Sequence, residues 1–519
     1  MGQRSRGDPR RRGERVRTGP GPAVRTGHAD GEHEVSSVEE QRLFVGGEWV
    51  VPDGGYYAVL DPATEETVGS APEASRDQVR AACAAAREAF GAWSRTPAGE
   101  RAAILARASD LMRSRLVPYA ELAQAETGAT TATARAMQVG VAAARFRRYA
   151  QVEPAEWAIP PQINEAGPMG RAAVMGALAV RQPVGVVTCI TSYNNPWANP
   201  AGKIAPALAM GNTVVVKPAP QDPLSVYRMA EALEAAGVPR GVVNVVSGRS
   251  VEVGEAAVDS PDVDMVSFTG STAVGQRIGE VCGRSMKRQL MELGGKGAAV
   301  VFEDADLGSA VAGIGTTFSF YSGQICTAPT RVLVQRGVYE RLVEQLAGYT
   351  GRLKVGNPRE AGTVVGPVIS AAHRERVESY VELGRKEGAS VVVGGERPDQ
   401  DQGFYVAPTL LADCGPQMRV VREEIFGPVV TVTPFDDEEE GIALANDSEY
   451  GLIDYVWSAD VARAFRVARR LRAGGVGVNT VGRNMEAPFG GFRSSGVGRD
   501  CGSYALHAYS EVQSIVWPG

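Results

Sequence analysis

Residues 184–190 read Val-Gly-Val-Val-Thr-Cys-Ile, a short apolar run whose surroundings decide the fold. Such a run is too short for a helix and has no polar alternation, as a strand covered on both faces of a parallel sheet requires. Downstream the chain alternates between two periods. The spacing predicts a helix over 200–210, a β-branched strand over 213–216 and an amphipathic helix over 225–236. It then predicts strands over 242–246 and 263–268 and a helix over 275–282. Strand–helix alternation with glycine-rich turns implies an α/β chain with a parallel, doubly wound sheet.

A second alternating block runs from 297 to about 480, with strands expected at 298–302, 331–335, 390–393 and 429–432 and a helix at 371–387. Upstream, Leu43-Phe44-Val45 opens the folded part. Ser75 and Gln78 have capping-box spacing ahead of the alanine-rich 79–92, and 99–150 reads as further helices. Between 156 and 182, Pro160, Pro161, Gly167 and Gly170 break the pattern, while 172–181 reads as a strand. This stretch is expected to leave its domain as a β-hairpin. The tail 503–517, rich in aromatic and β-branched residues, is too short to fold alone and is expected to dock on another element. Residues 1–42 form an Arg-rich tail, with arginine at 4, 6, 10, 11, 12, 15, 17 and 25 and few apolar residues. It is expected to be disordered, because so little burial cannot offset ordering entropy. It has neither a secretory apolar stretch nor the amphipathic face of a transit peptide.

Composition narrows the function. A net charge of −6 over 519 residues argues against nucleic acid as a partner. No apolar run is long enough to predict a membrane span. The six cysteines are scattered without paired spacing, which reads as a reduced, cytoplasmic protein. The four histidines form no metal-ligand pattern, so neither a metal site nor a Ser-His-Asp triad is expected.

Two glycine-bearing motifs carry the chemistry. Glu292 lies in Met291-Glu292-Leu293-Gly294-Gly295-Lys296, and Cys326 lies in Ser322-Gly323-Gln324-Ile325-Cys326-Thr327. A thiol nucleophile and a carboxylate base are the pair needed to oxidise an aldehyde through a covalent thioester. Phe268–Gly275 stands where a strand hands over to a helix. Amides around Gly270, Ser271 and Gly275 could hold a pyrophosphate, although a plain strand–turn–helix reads the same way. Lys217 closes a predicted strand and points to the ligand crevice of a parallel sheet, or else to solvent. Asn194, in Tyr193-Asn194-Asn195-Pro196, could donate to an oxyanion or simply make a turn.

The series Asn194, Lys217, Gly270–Gly275, Glu292, Cys326, Glu424-Ile425-Phe426-Gly427-Pro428 and Pro488-Phe489-Gly490-Gly491 resembles the aldehyde dehydrogenase superfamily of the NAD(P)-dependent, non-acylating type. The resemblance covers 43–517. It implies two doubly wound Rossmann-like parallel-sheet domains and a small β oligomerisation arm. The cofactor domain is expected at 43–159 with 183–293, the catalytic domain at 294–495, and the arm at 160–182 with 496–519. It also implies roles: Cys326 attacks the aldehyde, Asn194 and the cysteine's own main-chain N–H hold the oxyanion, and hydride passes to the nicotinamide. Glu292, its pKa raised by burial, activates water to release the acid. Glu424 is expected on the nicotinamide ribose, Phe426 beside the ring, and Lys217 on the adenosine ribose. A homodimer or homotetramer is implied.

Departures from the family pattern leave questions open. Pro220 stands where many relatives have a glutamate for the ribose 2′-hydroxyl, so NAD and NADP both remain, with a lean to NAD because no arginine adjoins Lys217. Tyr321 replaces a frequent asparagine and is expected at the substrate entrance. Asp500 replaces a glutamate that some relatives use in proton relay. Glu511 is expected to pair with Arg288 and Arg499. Ile325, Thr327, Tyr193, Trp197, Tyr321 and residues 481–487 are the expected pocket, favouring an uncharged, medium-sized aliphatic or aromatic aldehyde. Arg483 would instead suit a semialdehyde carboxylate. Acylation of coenzyme A is disfavoured by Glu292, and a catalytically silent homologue by the joint presence of Cys326, Glu292 and Asn194.

Overall fold

The computed structural model describes residues 40–152, 156–164 and 173–518. Residues 165–172 of the expected arm and nearly all of the Arg-rich tail lie outside the described residues. The apolar run becomes the strand Val186–Ile190, buried along its whole length in an eight-stranded sheet. It pairs in parallel with Thr213–Lys217 on one side and Met265–Thr269 on the other. Val243–Val245 and Arg288–Glu292 extend the parallel set outward in the two directions. The chain thus reverses its direction of travel between Val186–Ile190 and Met265–Thr269. Such a switch point opens a crevice beyond the strands' carboxyl ends, where doubly wound sheets take their ligands.

Sequence missed two elements here. Arg288–Glu292 buries only its last three residues, so no apolar run announced it. The helix Val251–Asp259, capped by Ser250 accepting from Glu252 N, was also not expected. The neighbouring helices Ala198–Ala209, Pro223–Ala235 and Thr272–Ser285 each begin ahead of their predicted stretches, and only the third also extends past its predicted end.

The second block forms a seven-stranded sheet. Its parallel strands are Thr409–Ala412, Val429–Phe435, Arg331–Gln335, Ala298–Val301, Ile453–Trp457 and Gly475–Val478, in that spatial order. Ser390–Val393 closes one edge antiparallel. One apolar cluster, around Ile314, Phe318 and Leu342, covers one face, and another, around Phe302, Phe435 and Ile442, covers the other. The fold is thus α/β with two parallel-sheet layers, and the segment 293–297 carries the chain from one sheet to the other.

The helix Arg76–Trp93 starts at Ser75, whose hydroxyl accepts from Gln78 N while the Gln78 amide oxygen accepts from Ser75 N. Such a cap contributes about 1 kcal/mol. Val79, Ala82, Cys83 and Ala86 form its buried stripe. Within 99–150, Ala134–Gly140 is a π turn rather than ordinary helix. π turns of this kind collect at functional sites.

The excursion is a hairpin of Trp157–Asn164 and Ala173–Pro183, joined by Ser510–Pro518 as a third strand. Pro160 and Pro161 do not break it. They lie within the edge strand, where a register shift between Ile159 and Gln162 accommodates residues that cannot donate to the ladder. Val512, Ile515, Val516 and Trp517 on the third strand are exposed. Among the described residues no helix is long and apolar enough to cross a membrane, and no cluster of potential ligands could hold a metal.

Candidate active site

Glu292 is the last residue of Arg288–Glu292 and is 5% exposed, with neither carboxylate oxygen hydrogen bonded among the described residues. Gly490 explains how it fits. A Cβ at that position would lie 2.9 Å from Glu292 Oε1, and the backbone φ of 148° is itself unfavourable to other residues. Burial raises the Glu292 pKa well above the usual carboxylate range, helped by the charge of Asp500 and opposed by Lys203, Arg499 and Arg483.

Cys326 is held by a strained turn. Tyr321, Ser322 and Gly323 are consecutive left-handed residues, with φ of 53°, 56° and 73°. Two of them are not glycine, a strain that persists only where the surroundings enforce it. Ser322 Oγ donates to Gly366 O at 2.8 Å, and Gln324 Oε1 accepts from Ile369 N at 2.9 Å. Gly323 lies against Gly427-Pro428, where a Cβ would come within 2.1 Å of the Gly427 carbonyl carbon. Half-buried, Cys326 has its thiol pushed up to about 12 by burial, then by the charges of Glu424 and Glu292, while Arg483 opposes the shift.

The Gly294-Gly295 pair ties these groups together. A Cβ on Gly294 would meet Glu424 Oε2 at 2.4 Å, and one on Gly295 would meet Cys326 O at 2.4 Å. Gly295 N donates to Glu424 Oε1 at 2.9 Å. Asn194 joins from the switch point: it is 4% exposed, and its Nδ2 donates to Gln324 O at 2.8 Å, two residues before Cys326. Sequence reasoning missed Gln138, on the π turn, whose Nε2 donates to Asn194 O at 3.1 Å and Asn195 Oδ1 at 2.9 Å. It also missed Lys203, a buried ammonium that donates to Ser267 Oγ at 3.1 Å. Its place in the predicted helix 200–210, facing the sheet, was the available signal.

The residues expected to meet a dinucleotide start with the loop after Met265–Thr269. Ser271 starts the helix Thr272–Ser285 without capping it through its side chain, and Ser271, Ala273 and Val274 are exposed. The first-turn amides are therefore open to an anion. A Cβ on Gly275 would strike Leu293, and one on Gly270 would strike the Phe268 ring, so both glycines serve close packing. Lys217 ends its strand; burial lowers its pKa, opposed by Glu73 and Asp222. Glu424 is half-buried, and desolvation raises its carboxyl to about 7, with the Gly295 N–H, Lys296 and Arg376 acting against it. Phe426, at a φ of 60°, meets Tyr193 edge-on with centroids 5.9 Å apart. His373 Nε2 lies 2.7 Å from Phe426 O, and Arg376 donates to Glu424 O at 2.9 Å. Their spacing of three on the predicted helix 371–387 puts both on one face, a signal not used at the sequence level.

Several expected pocket residues sit elsewhere. Trp197 is fully buried and stacks on Tyr119. Tyr321 is 8% exposed inside the core, not at an entrance. Tyr193 faces Phe426 and His373, on the cofactor side. Ile325, Thr327 and the exposed stretch 481–487 remain, with the Arg483 guanidinium 4.0 Å above the Phe489 ring. Glu511 pairs with Arg288 at 2.6 Å, but Arg499 instead donates to the Gly491 and Gly498 carbonyls.

A switch-point sheet with an open helix start, together with a half-buried thiol and a buried carboxylate, has the parts of a dinucleotide-dependent oxidoreductase. The sequence matches the model of the Aldehyde dehydrogenase family over residues 49–515. It is 40% identical over 482 residues to a geranial dehydrogenase of Castellaniella defragrans, covering 92% of this chain and 99% of that one. A betaine aldehyde dehydrogenase of Bacillus subtilis is 39% identical, covering 92% and 97%. The solved NAD+ complex of an aldehyde dehydrogenase from Bacillus cereus superposes with a TM-score of 0.87 at 37% identity, covering 94% and 99%. The chain belongs to the aldehyde dehydrogenase family. It is an NAD(P)-dependent enzyme that oxidises an aldehyde to the carboxylic acid by way of a cysteine thioester.

Proposed function

We propose that Cys326 is the nucleophile, Glu292 the base that activates water, and Asn194 the oxyanion donor. The observation that carries this is the unpartnered, buried Glu292 carboxylate within electrostatic reach of the Cys326 thiol. The thiol loses its proton to solvent, a step that Arg483 eases by its charge. The thiolate then bonds to the aldehyde carbon, and the oxygen becomes an oxyanion held by the Asn194 amide and the Cys326 main-chain N–H. The bound nicotinamide supplies the acceptor for the hydride that leaves this carbon. A thioester remains on Cys326. Glu292 takes a proton from water, the hydroxide adds to the thioester, and the acid departs as the thiolate returns. Asp500 and Lys203 are the buried ionisable groups that bear most strongly on Glu292.

For the cofactor, the helix start at Gly270, Ser271 and Gly275 would take the pyrophosphate, Lys217 the adenosine ribose, Glu424 the nicotinamide ribose, and Phe426 the side of the ring. NAD is preferred over NADP. Glu73 bears on Lys217 and would repel a 2′-phosphate, whereas burial favours the neutral form of Asp222, the other acid beside it. We assign 43–159 with 183–293 to cofactor binding, 294–495 to catalysis, and 160–182 with 496–519 to a homodimer or homotetramer contact. The exposed apolar residues of Ser510–Pro518 support the last assignment. Six free cysteines fit a reducing, cytoplasmic setting.

The substrate proposed is an uncharged, medium-sized aldehyde, as the apolar Ile325, Val481 and Phe489 favour. A second reading, an aldehyde with an anionic tail, is favoured by Arg483, which has no carboxylate partner among the described residues. The test is NAD(P)H formation at 340 nm with both cofactors against aliphatic, aromatic and carboxylated aldehydes, with and without coenzyme A. Cys326→Ala is the control. Turnover by the parent alone supports the assignment, and turnover by both proteins overturns it.

A further inference from the structure

Arg145 is a guanidinium where the fold has little room for one. Its side chain is 16% exposed, inside the cleft between the helices Val141–Tyr149 and Ala198–Ala209. It fits only because residue 202 is glycine: a Cβ there would lie 1.8 Å from Arg145 Nη1 and 3.3 Å from Asp500 Oδ2. Nη1 donates to Ala198 O at 2.9 Å and stands 4.0 Å from Asp500 Oδ2, while Nη2 points at Cys501 Sγ at 3.8 Å. Asp500 is fixed from its other side. Its backbone exchanges hydrogen bonds with Phe489, and its Oδ1 accepts from Cys501 N at 2.7 Å.

We propose that Arg145, seated in the space opened by Gly202, is the positioning residue that balances Asp500 and so sets the charge against which Glu292 works. This rests on the reading of Glu292 as the base. The buried set holds two carboxylates, Glu292 and Asp500, and two cations, Lys203 and Arg145. Asp500 acts directly on Glu292 and Lys203. The cations bearing most on Glu292 are Lys203, Arg499 and Arg483, so Arg145 reaches it through Asp500. The other titratable groups facing the set are Cys189 at Lys203, and Cys501, Tyr149 and Tyr509 at Arg145.

Removing Arg145 leaves one uncompensated negative charge, and Glu292 then keeps its proton to higher pH. The experiment is the pH profile of kcat at saturating NAD and aldehyde for the parent, Arg145→Met, Arg145→Lys, Gly202→Ala, Asp500→Asn and the Arg145→Met/Asp500→Asn double variant. The acid limb of Arg145→Met is expected to move up by about one pH unit, a typical effect of a lost neighbouring charge. Gly202→Ala, which displaces the guanidinium, should move it the same way. Arg145→Lys should restore it. Asp500→Asn should move the limb down, and adding Arg145→Met should then shift it by less than a third of the single-variant effect. An unmoved limb in both Arg145→Met and Gly202→Ala, or a full shift in the double variant, overturns the proposal. If Arg145→Met does not fold, the Gly202→Ala and Arg145→Lys profiles decide. A Glu292→Gln variant that keeps the parent's acid limb would instead sink the base assignment itself.

Discussion

The thiol of Cys326 yields a quantitative expectation. Burial and the charges of Glu424 and Glu292 push it to about 12 in the cofactor-free chain. At pH 7.5 the thiolate fraction is then about 3 × 10⁻⁵, against about 3 × 10⁻² for a thiol at the ordinary value near 9, a difference of about a thousandfold. Alkylation reads this directly, because the thiolate is the reacting species. Inactivation by iodoacetamide should rise tenfold per pH unit from 7 to 10 with no plateau. The adduct should map to Cys326, since the other five cysteines are buried. Arg483 is the cation that opposes the shift, so Arg483→Met should slow alkylation at fixed pH. Its loop is exposed, so solvent screens the effect to roughly two- to fivefold at low salt, shrinking further at 0.5 M salt. A plateau below pH 9 would refute the claim that burial dominates, and a faster Arg483→Met would refute the role given to the arginine.

Glu292→Gln should lower kcat by about 10² to 10⁴, the usual worth of a general base, while the acyl-enzyme accumulates on Cys326 as a mass increment in intact-protein spectra. An unchanged kcat would remove Glu292 from the mechanism. Glu73→Gln deletes one of the carboxylates bearing on Lys217 and should raise the NADP to NAD ratio of kcat/KM by about three- to tenfold; an unchanged or falling ratio counts against the electrostatic account of NAD preference. Val516→Asp places a charge on the exposed face of the Ser510–Pro518 strand and, under the proposed arm contact, should give a smaller mass than the parent by light scattering. Identical masses for parent and variant would place the subunit contact elsewhere.

What sequence could and could not reveal follows from the physics of each element. Val186–Ile190 and Arg331–Gln335 were legible because a strand buried on both faces shows as a short, mostly apolar run, Val332-Leu333-Val334 in the second case. Arg288–Glu292 was not, because its first residues reach the sheet edge and only the last three are covered, although it carries Glu292, the proposed base. Ser75 and Gln78 were legible because a capping box is local. The left-handed turn through Tyr321 and Ser322 was not, because its strain is enforced by Gly366, Ile369 and Gly427, far away in the chain.

Glycines mark the boundary between the two cases. Sequence shows where a side chain is forbidden, as at Gly490 and Gly202, but not what fills the space. At Gly490 the occupant is the Glu292 carboxylate, and motif order had already brought the two together. At Gly202 it is a guanidinium 57 positions earlier in the numbering, on a helix that no motif links to the site. A positive charge in that space matters because Asp500, which it faces, bears in turn on the buried Glu292 carboxylate. The glycine, the arginine and the aspartate therefore make sense only together. A Gly202→Ala change, which removes no ionisable group, should shift the pH dependence of a carboxylate that it never meets.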